Sequence, residues 1–165
     1  MMKAQHALGA VIVATLLPSA IPGYAKEAVY VPAAAGAVSV IDVATNAVEA
    51  IVQTNRADFI GLDAFAMAPD TTHAWVVDWY GTLARLDLQT TELSNQISIE
   101  APGTVTQMVI SPDATFAYLL TDAPEVVVVD LGAHQVVRTL SFNGASGLAL
   151  SPDGSRLYVA STDIA

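Results

Sequence analysis

The stretch Ser151-Pro152-Asp153-Gly154-Ser155-Arg156-Leu157-Tyr158-Val159-Ala160 decides the fold, because its pattern recurs upstream at a nearly constant interval. The triplet is repeated as Ser111-Pro112-Asp113, and Ala68-Pro69-Asp70 is a near copy, so the Asp residues are 43 and 40 residues apart. An aromatic residue lies five positions after each Asp, and a further aromatic precedes the first of these by 45 residues: Tyr30, Trp75, Tyr118 and Tyr158. This regular spacing indicates an internal repeat.

A second landmark keeps the same period. Short apolar runs end in Ile41-Asp42, Leu86-Asp87 and Val129-Asp130, which are 45 and 43 residues apart. Each repeat reads as four strands, a to d, with the first Asp in the turn between strands a and b and the second Asp at the end of strand c. A period of about 40–45 residues with four strands is typical of a β-propeller blade.

The strand patterns favour the same arrangement. Residues 126–129 are four consecutive Val, which predicts a strand c that is buried on both faces. In the predicted strand d, Ile97 and Ile99 flank Ser98, and this alternation predicts one wet face. We therefore predict an all-β protein, a β-propeller of four-stranded antiparallel blades of which about three to four are present. The predicted units are a partial blade without strand a, two full blades and a partial blade with strands a and b only: 27–53, 58–99, 104–142 and 146–165.

This count leaves strand edges open, which favours a partial propeller within a longer protein, with closure by oligomerisation as the alternative. Open edges also predict possible self-association. The residues around Ser151-Pro152-Asp153 and residues 37–45 resemble the YVTN-type β-propeller repeat. That resemblance implies an exported repeat protein, in a family that includes surface-layer proteins, redox-enzyme subunits and binding modules. The Gly-His and Trp-Asp landmarks of WD40 repeats are missing from the sequence, so WD40 is the second choice.

The N-terminus has the features of a signal peptide, predicted as residues 1–25. Lys3 supplies the positive charge, residues 7–17 are a run of small and apolar residues, and Pro18 follows. Small residues at positions 23 and 25 predict cleavage after Ala25. A membrane-spanning helix needs about 20 apolar residues, so this run is too short for an anchor. We therefore predict a periplasmic or secreted protein whose mature form, residues 26–165, is not held in a membrane.

The amino-acid composition limits the classes of partner and cofactor that we expect. The chain carries 16 Asp and Glu against 6 Lys and Arg, a net charge of −10. An acidic surface repels phosphate backbones, so we predict no nucleic-acid partner. The sequence contains no Cys, which excludes disulfides, thiolate metal sites and c-type haem attachment on this chain. We predict no cofactor.

The recurring Asp residues predict structure more than chemistry. Asp70, Asp113 and Asp153 fall in the a–b turns and are expected to bond their own downstream backbone. The Asp residues at the ends of strands c are expected to cap the c–d turns: Asp42, Asp87 and Asp130. His73 and His134 fall in turns, have no second ligand at metal spacing, and are expected to be solvated. No catalytic constellation is visible, which favours a protein that is not an enzyme on its own.

One loop predicts a binding surface. Asp78-Trp79-Tyr80-Gly81 places two large aromatics in a tight b–c turn, and Trp and Tyr are enriched in interface hot spots. Arg56 and Asp58 enter the same blade and are expected nearby. The alternative is that Trp79 packs between blades. The predicted function is a binding or scaffold module that docks an unknown protein or small molecule through this loop face. The alternatives are an amine-dehydrogenase-like redox subunit, a lactonase-like hydrolase or a cell-surface structural protein.

Overall fold

Every regular element in the described part of the chain is a β-strand. The computed structural model describes residues 13–18, 27–33, 36–53, 61–100 and 103–162. The strands, in chain order, are β1 (Val13–Pro18), β2 (Glu27–Ala33), β3 (Ala37–Asp42), β4 (Ala47–Gln53), β5 (Leu62–Met67), β6 (His73–Asp78), β7 (Thr82–Asp87), β8 (Leu93–Ser98), β9 (Val105–Ile110), β10 (Phe116–Thr121), β11 (Glu125–Asp130), β12 (Gln135–Ser141), β13 (Ala145–Leu150) and β14 (Leu157–Ser161).

The strands form one sheet per repeat. Three sheets have four strands in chain order, β1–β4, β5–β8 and β9–β12, and a fourth pairs β13 with β14. All pairings are antiparallel. Successive sheets meet near their first strands, since β5 contacts β2 and β9, and β9 also contacts β13. The predicted all-β class with four-stranded antiparallel blades is confirmed. Within the described residues, no helix is long and apolar enough to cross a membrane.

The first sheet corrects the prediction that the first unit lacks strand a. The strand β1 supplies it, pairing with β2 through Val13 opposite Tyr30 and Pro18 opposite Glu27. The physical reason is that an uncovered β2 would leave a row of backbone N–H and C=O groups without partners, and an apolar segment satisfies them by forming a strand. Because β1 lies within the predicted signal peptide, cleavage after Ala25 would remove it. That cleavage stays a prediction.

Three apolar layers between sheets form the core. The repeat aromatics face them: Tyr30 stacks on Phe65 between the first and second sheets with ring centroids 6.0 Å apart, and Trp75 is buried between the second and third. Tyr118 is half-buried between the third and fourth sheets. Successive residues of β6 point into different layers, as Val76 and Val77 show. The inner strands are therefore buried on both faces.

The predicted strand patterns hold in most positions. Val126, Val127 and Val129 are buried, whereas Val128 is half-buried and lines a groove on the third sheet. In the outer part of the second blade, Ile97 and Ile99 are buried while Ser98 is exposed. The outer strands β4 and β12 are mostly exposed along their length. Burial thus falls from the inner strands to the rim, as a radial array requires.

A β-bulge interrupts the first strand of each sheet from the second onward, at the position after its first residue. The ladder skips Asp63 between the pairs Leu62–Asp78 and Ala64–Val77. The residues skipped in β9 and β13 are Thr106 and Ser146. A bulge leaves its extra residue out of the regular pairing and changes the direction of its side chain. The repeat therefore places one polar side chain per sheet outside the ladder, near the beginning of the innermost strand.

A side-chain clamp ties the third sheet to the fourth. The Gln107 amide donates from Nε2 to the Leu148 carbonyl at 2.9 Å and accepts from the Leu148 N–H at its Oε1 at 2.7 Å. The amide group satisfies both polar groups of one backbone position, which would otherwise be half-buried without partners. Adjacent innermost strands are thus joined by hydrogen bonds as well as by apolar contact.

The two ends of the blades carry different connections. We call the end with the a–b and c–d turns the turn end, which comprises residues 43–46, 68–72, 88–92, 111–115, 131–134 and 151–156. We call the opposite end, with the b–c loops and d–a connections, the loop face, whose described residues are 36, 61, 79–81, 99–100, 103–104, 122–124, 142–144 and 162.

Candidate functional site

The recurring Asp residues at the turn end act as predicted in the a–b turns. Asp113 Oδ1 accepts from the Thr115 N–H at 3.0 Å and from the Ser111 hydroxyl at 2.6 Å. Ser111 Oγ in turn accepts from the N–H groups of Thr115 and Phe116 at 3.0 and 2.9 Å. The hydrogen bonds from Ser111 and Thr115 lower the pKa of Asp113. In the next repeat, the Ser151 hydroxyl and the groups of Ser155 lower the pKa of Asp153 to about 2.

The second set of Asp residues caps the c–d turns, also as predicted. Asp42, Asp87 and Asp130 each accept, through Oδ1, from the N–H three positions on, at 2.7, 2.8 and 2.7 Å. For Asp87 the hydrogen bond from Thr90 is the main reason that its pKa is lowered. These carboxylates are committed to their own turns, which explains their periodic recurrence without any ligand.

His73 departs from the prediction that it is merely solvated. Its Nδ1 lies 2.9 Å from Asp70 Oδ2 and 2.8 Å from the Arg85 guanidinium, and its Nε2 lies 3.5 Å from Asp87 Oδ2. The ring therefore bridges the a–b turn and the c–d turn of the second blade. Burial acts to raise the pKa of Asp70, but hydrogen bonds from Thr72 and His73 outweigh it and lower that pKa. Within the described residues no group of His, Asp and Glu has the arrangement of a metal site.

The Asp78–Gly81 turn at the loop face is held firmly by its first residue. The buried Asp78 carboxylate accepts through Oδ1 from the N–H groups of Tyr80 and Thr82, at 3.0 and 2.8 Å. Gly81 has a φ of 75°, a left-handed conformation that favours glycine. Its carbonyl accepts from the Ile99 N–H at 2.8 Å, which ties the turn to the end of the outer strand. The backbone that carries the two aromatics is therefore fixed at both ends.

Those aromatics are presented to solvent. Trp79 is 56% exposed and Tyr80 is 74% exposed, and neither belongs to an interblade layer. The Trp79 indole lies against Gly61, where an added Cβ would come within 2.4 Å of Trp79 Cε2. Gly61 has a φ of 70° and directly precedes β5. The structure thus places one side of the indole on a glycine that has no side chain to obstruct it and leaves the rest of the ring accessible.

The charges of three carboxylates interact near this turn. Burial raises the pKa of Asp63 to about 6, with further contributions from the charges of Asp78 and Asp122. Asp122 lies in the b–c loop of the next blade, where its Oδ1 accepts from the Thr104 N–H at 2.8 Å. Carboxylates that repel one another attract a cation.

Sequence reasoning identified part of this surface. Trp79 and Tyr80 lie on the loop face as predicted, whereas Arg56 and Asp58 fall outside the described residues. Asp63 and Asp122 were missed. Asp63 is the one acidic residue among the three bulged positions, but the bulges arise from strand pairing, which an alignment of the repeats does not show. The proximity of Asp122 depends on how neighbouring blades pack, for which the sequence offers no local signal.

The described residues also form two open grooves on the third and fourth sheets. The larger, of about 410 Å³, is lined mainly by apolar residues of the third sheet together with Leu157. The smaller, of about 230 Å³, lies beside Gln107 and Tyr158. Tyr158, the last of the repeat aromatics, is 54% exposed. Neither groove includes Trp79 or Tyr80.

Comparisons with known proteins agree with this architecture. No family model matches the chain. A region of 100 residues, 58% of this chain, is 32% identical to the seven-bladed β-propeller protein Rv1057 of Mycobacterium tuberculosis, of which it covers 25%. Among solved structures, hydrazine synthase of Kuenenia stuttgartiensis superposes on 94% of this chain with a TM-score of 0.65 and 21% identity, over 45% of its own length.

The chain therefore spans a quarter of the curated relative and less than half of the structural neighbour. The likeness to hydrazine synthase concerns the fold alone. Together with the four sheets and their radial contacts, these comparisons show that the chain has the β-propeller fold.

Proposed function

We propose that this chain is part of an exported β-propeller of the YVTN repeat type that serves as a binding or scaffold module and docks its partner through the loop face. The observation that carries the proposal is the exposure of Trp79 and Tyr80 on a turn whose backbone is fixed. Large aromatics left in solvent cost free energy unless something covers them, and in interfaces they provide much of the binding energy.

Rigidity strengthens this argument. The Asp78 carboxylate and the Gly81 carbonyl hold the turn backbone, and the Trp79 indole lies against Gly61, before any partner arrives. A preorganised surface loses less conformational entropy on binding than a mobile loop does. Functional residues on loops above a rigid scaffold are a common arrangement.

Export and repeat type rest on the sequence. The Lys3 charge, the apolar run and the small residues before position 26 support cleavage after Ala25. Intact mass and N-terminal sequencing of the protein from its native source test this directly, with Lys26 expected as the first residue. A product that retains β1 would contradict export by this signal.

The docking proposal is tested by photocrosslinking in the full-length protein. A photoreactive aromatic residue in place of Tyr80 should yield a discrete adduct in producing cells, identifiable by mass spectrometry. The matched control is the same replacement at Tyr158, which is 54% exposed but lies on β14, outside the loop face. The adduct should form from position 80 and not from position 158.

Two further variants separate binding from folding. Trp79→Ala, introduced beside the crosslinker at position 80, should abolish the adduct with little change in melting temperature. Gly61→Ala adds a Cβ where the indole now lies and should reduce the adduct by displacing the ring. If Trp79→Ala lowers the melting temperature but leaves the adduct intact, Trp79 is a packing residue and the proposal is wrong.

A further inference from the structure

We propose that the partner segment that docks on the loop face is a basic peptide, with its Lys or Arg side chains placed on Trp79 and Tyr80 and between the neighbouring carboxylates. This inference rests on the proposed function, since it names the partner chemistry of the same surface.

Carboxylates lie at both ends of the blades, but among the described residues the positive charges are absent from the loop face. Five carboxylates lie at the loop face or at the ends of strands beside it: Asp63, Asp78, Glu100, Asp122 and Glu125. The three described Arg residues lie elsewhere. Arg85 contacts Asp70 and His73 of the turn end, Arg156 belongs to a turn-end hairpin, and Arg138 lies in the middle of β12. A partner with positive charge complements this arrangement and is steered toward it.

Trp79 and Tyr80 also favour a positively charged partner. The faces of indole and phenol rings carry negative potential, so a Lys ammonium or an Arg guanidinium binds on them, and Trp is the strongest of these rings. The Trp79 indole contacts Gly61 on one side and is otherwise accessible, with Asp63 two residues further along β5. A cationic side chain placed on the ring would therefore also be close to a carboxylate. The cation–π attraction to the indole and the attraction to the Asp63 carboxylate would then act on the same Lys or Arg side chain.

The shape favours a peptide over a free small cation. Sites for small molecules are concave and bury most of the ligand. Trp79 and Tyr80 instead project from a turn, and neither lines the two grooves on the third and fourth sheets. Exposed aromatics on a convex turn resemble the contact residues of protein interfaces, where several weak contacts add along an extended segment.

The test measures binding of short fluorescein-labelled peptides to the full-length protein by fluorescence anisotropy, at low and at physiological salt. The probes alternate Gly with Lys, with Ser or with Glu. We expect the Gly-Lys peptide to bind and the other two to bind at least about tenfold more weakly, with affinity falling as salt rises.

Matched variants locate the site. Trp79→Ala should weaken Gly-Lys binding about tenfold, and Tyr80→Ala and Asp63→Asn each about threefold, with no loss of melting temperature in any of the three. Tyr158→Ala is the control for an exposed aromatic and Glu92→Gln, in a turn-end loop of the same blade, is the control for one lost charge. Both controls should leave the affinity unchanged.

Several results would overturn the inference. The first is that the Gly-Lys peptide does not bind. The second is an equal loss of affinity in Glu92→Gln and Asp63→Asn, which would mean attraction to the net charge alone. The third is displacement of the peptide by an equimolar amount of ethylammonium, which would indicate a small-cation site. If the Gly-Ser or Gly-Glu peptide binds as tightly and still requires Trp79, the charge preference is wrong while the proposed function stands. Loss of the crosslinked adduct's dependence on Trp79 would instead contradict the proposed function.

Discussion

The two ends of this propeller use the same residue type, aspartate, in different ways. At the turn end, Asp113 and its equivalents accept hydrogen bonds from their own turn, and the pattern recurs from blade to blade. At the loop face, Asp63 carries a raised pKa among other carboxylates, and the bulged positions of the next two sheets hold a threonine and a serine instead. The Asp residues that recur with the period therefore maintain the fold, whereas Asp63, which departs from the period, lies at the surface proposed for function.

The largest expected effect comes from comparing the two tryptophans. Trp75 is 5% exposed between two sheets and Trp79 is 56% exposed at the loop face. Trp75→Ala should lower the free energy of unfolding by about 3–5 kcal/mol, because it leaves a cavity. Trp79→Ala should change it by less than about 1 kcal/mol. Urea denaturation of both variants measures the difference, and equal losses would remove the distinction between a structural and a displayed aromatic.

The next effect concerns a hydroxyl at the turn end. Ser111 is 5% exposed, and Ser111→Ala would remove the acceptor of the Phe116 N–H and one of the two acceptors of the Thr115 N–H. We expect a loss of about 1–3 kcal/mol in the free energy of unfolding. Ser98→Ala, at an exposed position of β8, is the control and should be nearly neutral. A neutral Ser111→Ala would show that the repeat motif is not what stabilises these hairpins.

The two ends should respond to acid in opposite directions. The pKa of Asp63 is raised to about 6 in the folded protein from 3.8, so its protonated form is favoured by folding. Acidification from pH 8 through 6 should therefore stabilise the protein, with the gain complete near pH 4. The pKa of Asp153 is lowered to about 2, so its contribution is present above pH 4 and is lost as the pH falls toward 2.

Asp63→Asn isolates the loop-face contribution. At pH 8 the variant should be more stable than the parent by about 1 kcal/mol, a figure discounted for solvent screening, and the gain between pH 8 and 5 should disappear. Chemical denaturation across this pH range measures it, with Glu92→Gln as the control for general charge. If the parent loses stability from pH 8 to 5, the assignment of Asp63 is wrong.

The smallest effect is expected at His73. His73→Phe removes the link between Asp70 and Asp87, and because these carboxylates are partly exposed to water the loss should be about 0.5 kcal/mol. His134→Phe, in a turn of the third blade, should be neutral by comparison. Thermal melts at pH 7 compare the two variants. A loss as large as that of Ser111→Ala would mean that the bridge is a principal support of the turn end.

The turn end was largely predictable from the sequence, whereas the loop face was predictable only in part. The hairpin and c–d turns were predictable because Asp113 and Asp130 act on residues two or three positions away, within the range of sequence patterns. The buried aromatics followed from their period. The strand β1 was missed because an apolar run beside Lys3 has the composition of a signal peptide, and composition does not reveal that β2 needs a partner.

The site was predictable only where a residue is conspicuous by itself. Trp79 and Tyr80 drew attention by size, and the structure places them at the expected end. Asp63 lies in a strand that otherwise reads as buried, and its bulge arises from the pairing of β5 with β6, which no local pattern encodes. The contacts around His73 likewise join residues 14 positions apart, Asp87 being reached only after β6 and β7 pair.

The bulge at the second position of β5, β9 and β13 affects how such a molecule can change. Because Asp63, Thr106 and Ser146 stand outside the ladder, exchanging one for another leaves the backbone pairing of its sheet untouched. Three of the four sheets thus offer one position where the side chain can vary without a change in strand pairing. Related proteins can therefore carry acids, alcohols or amides at these positions around a common axis. Each substitution can occur singly while the protein stays folded.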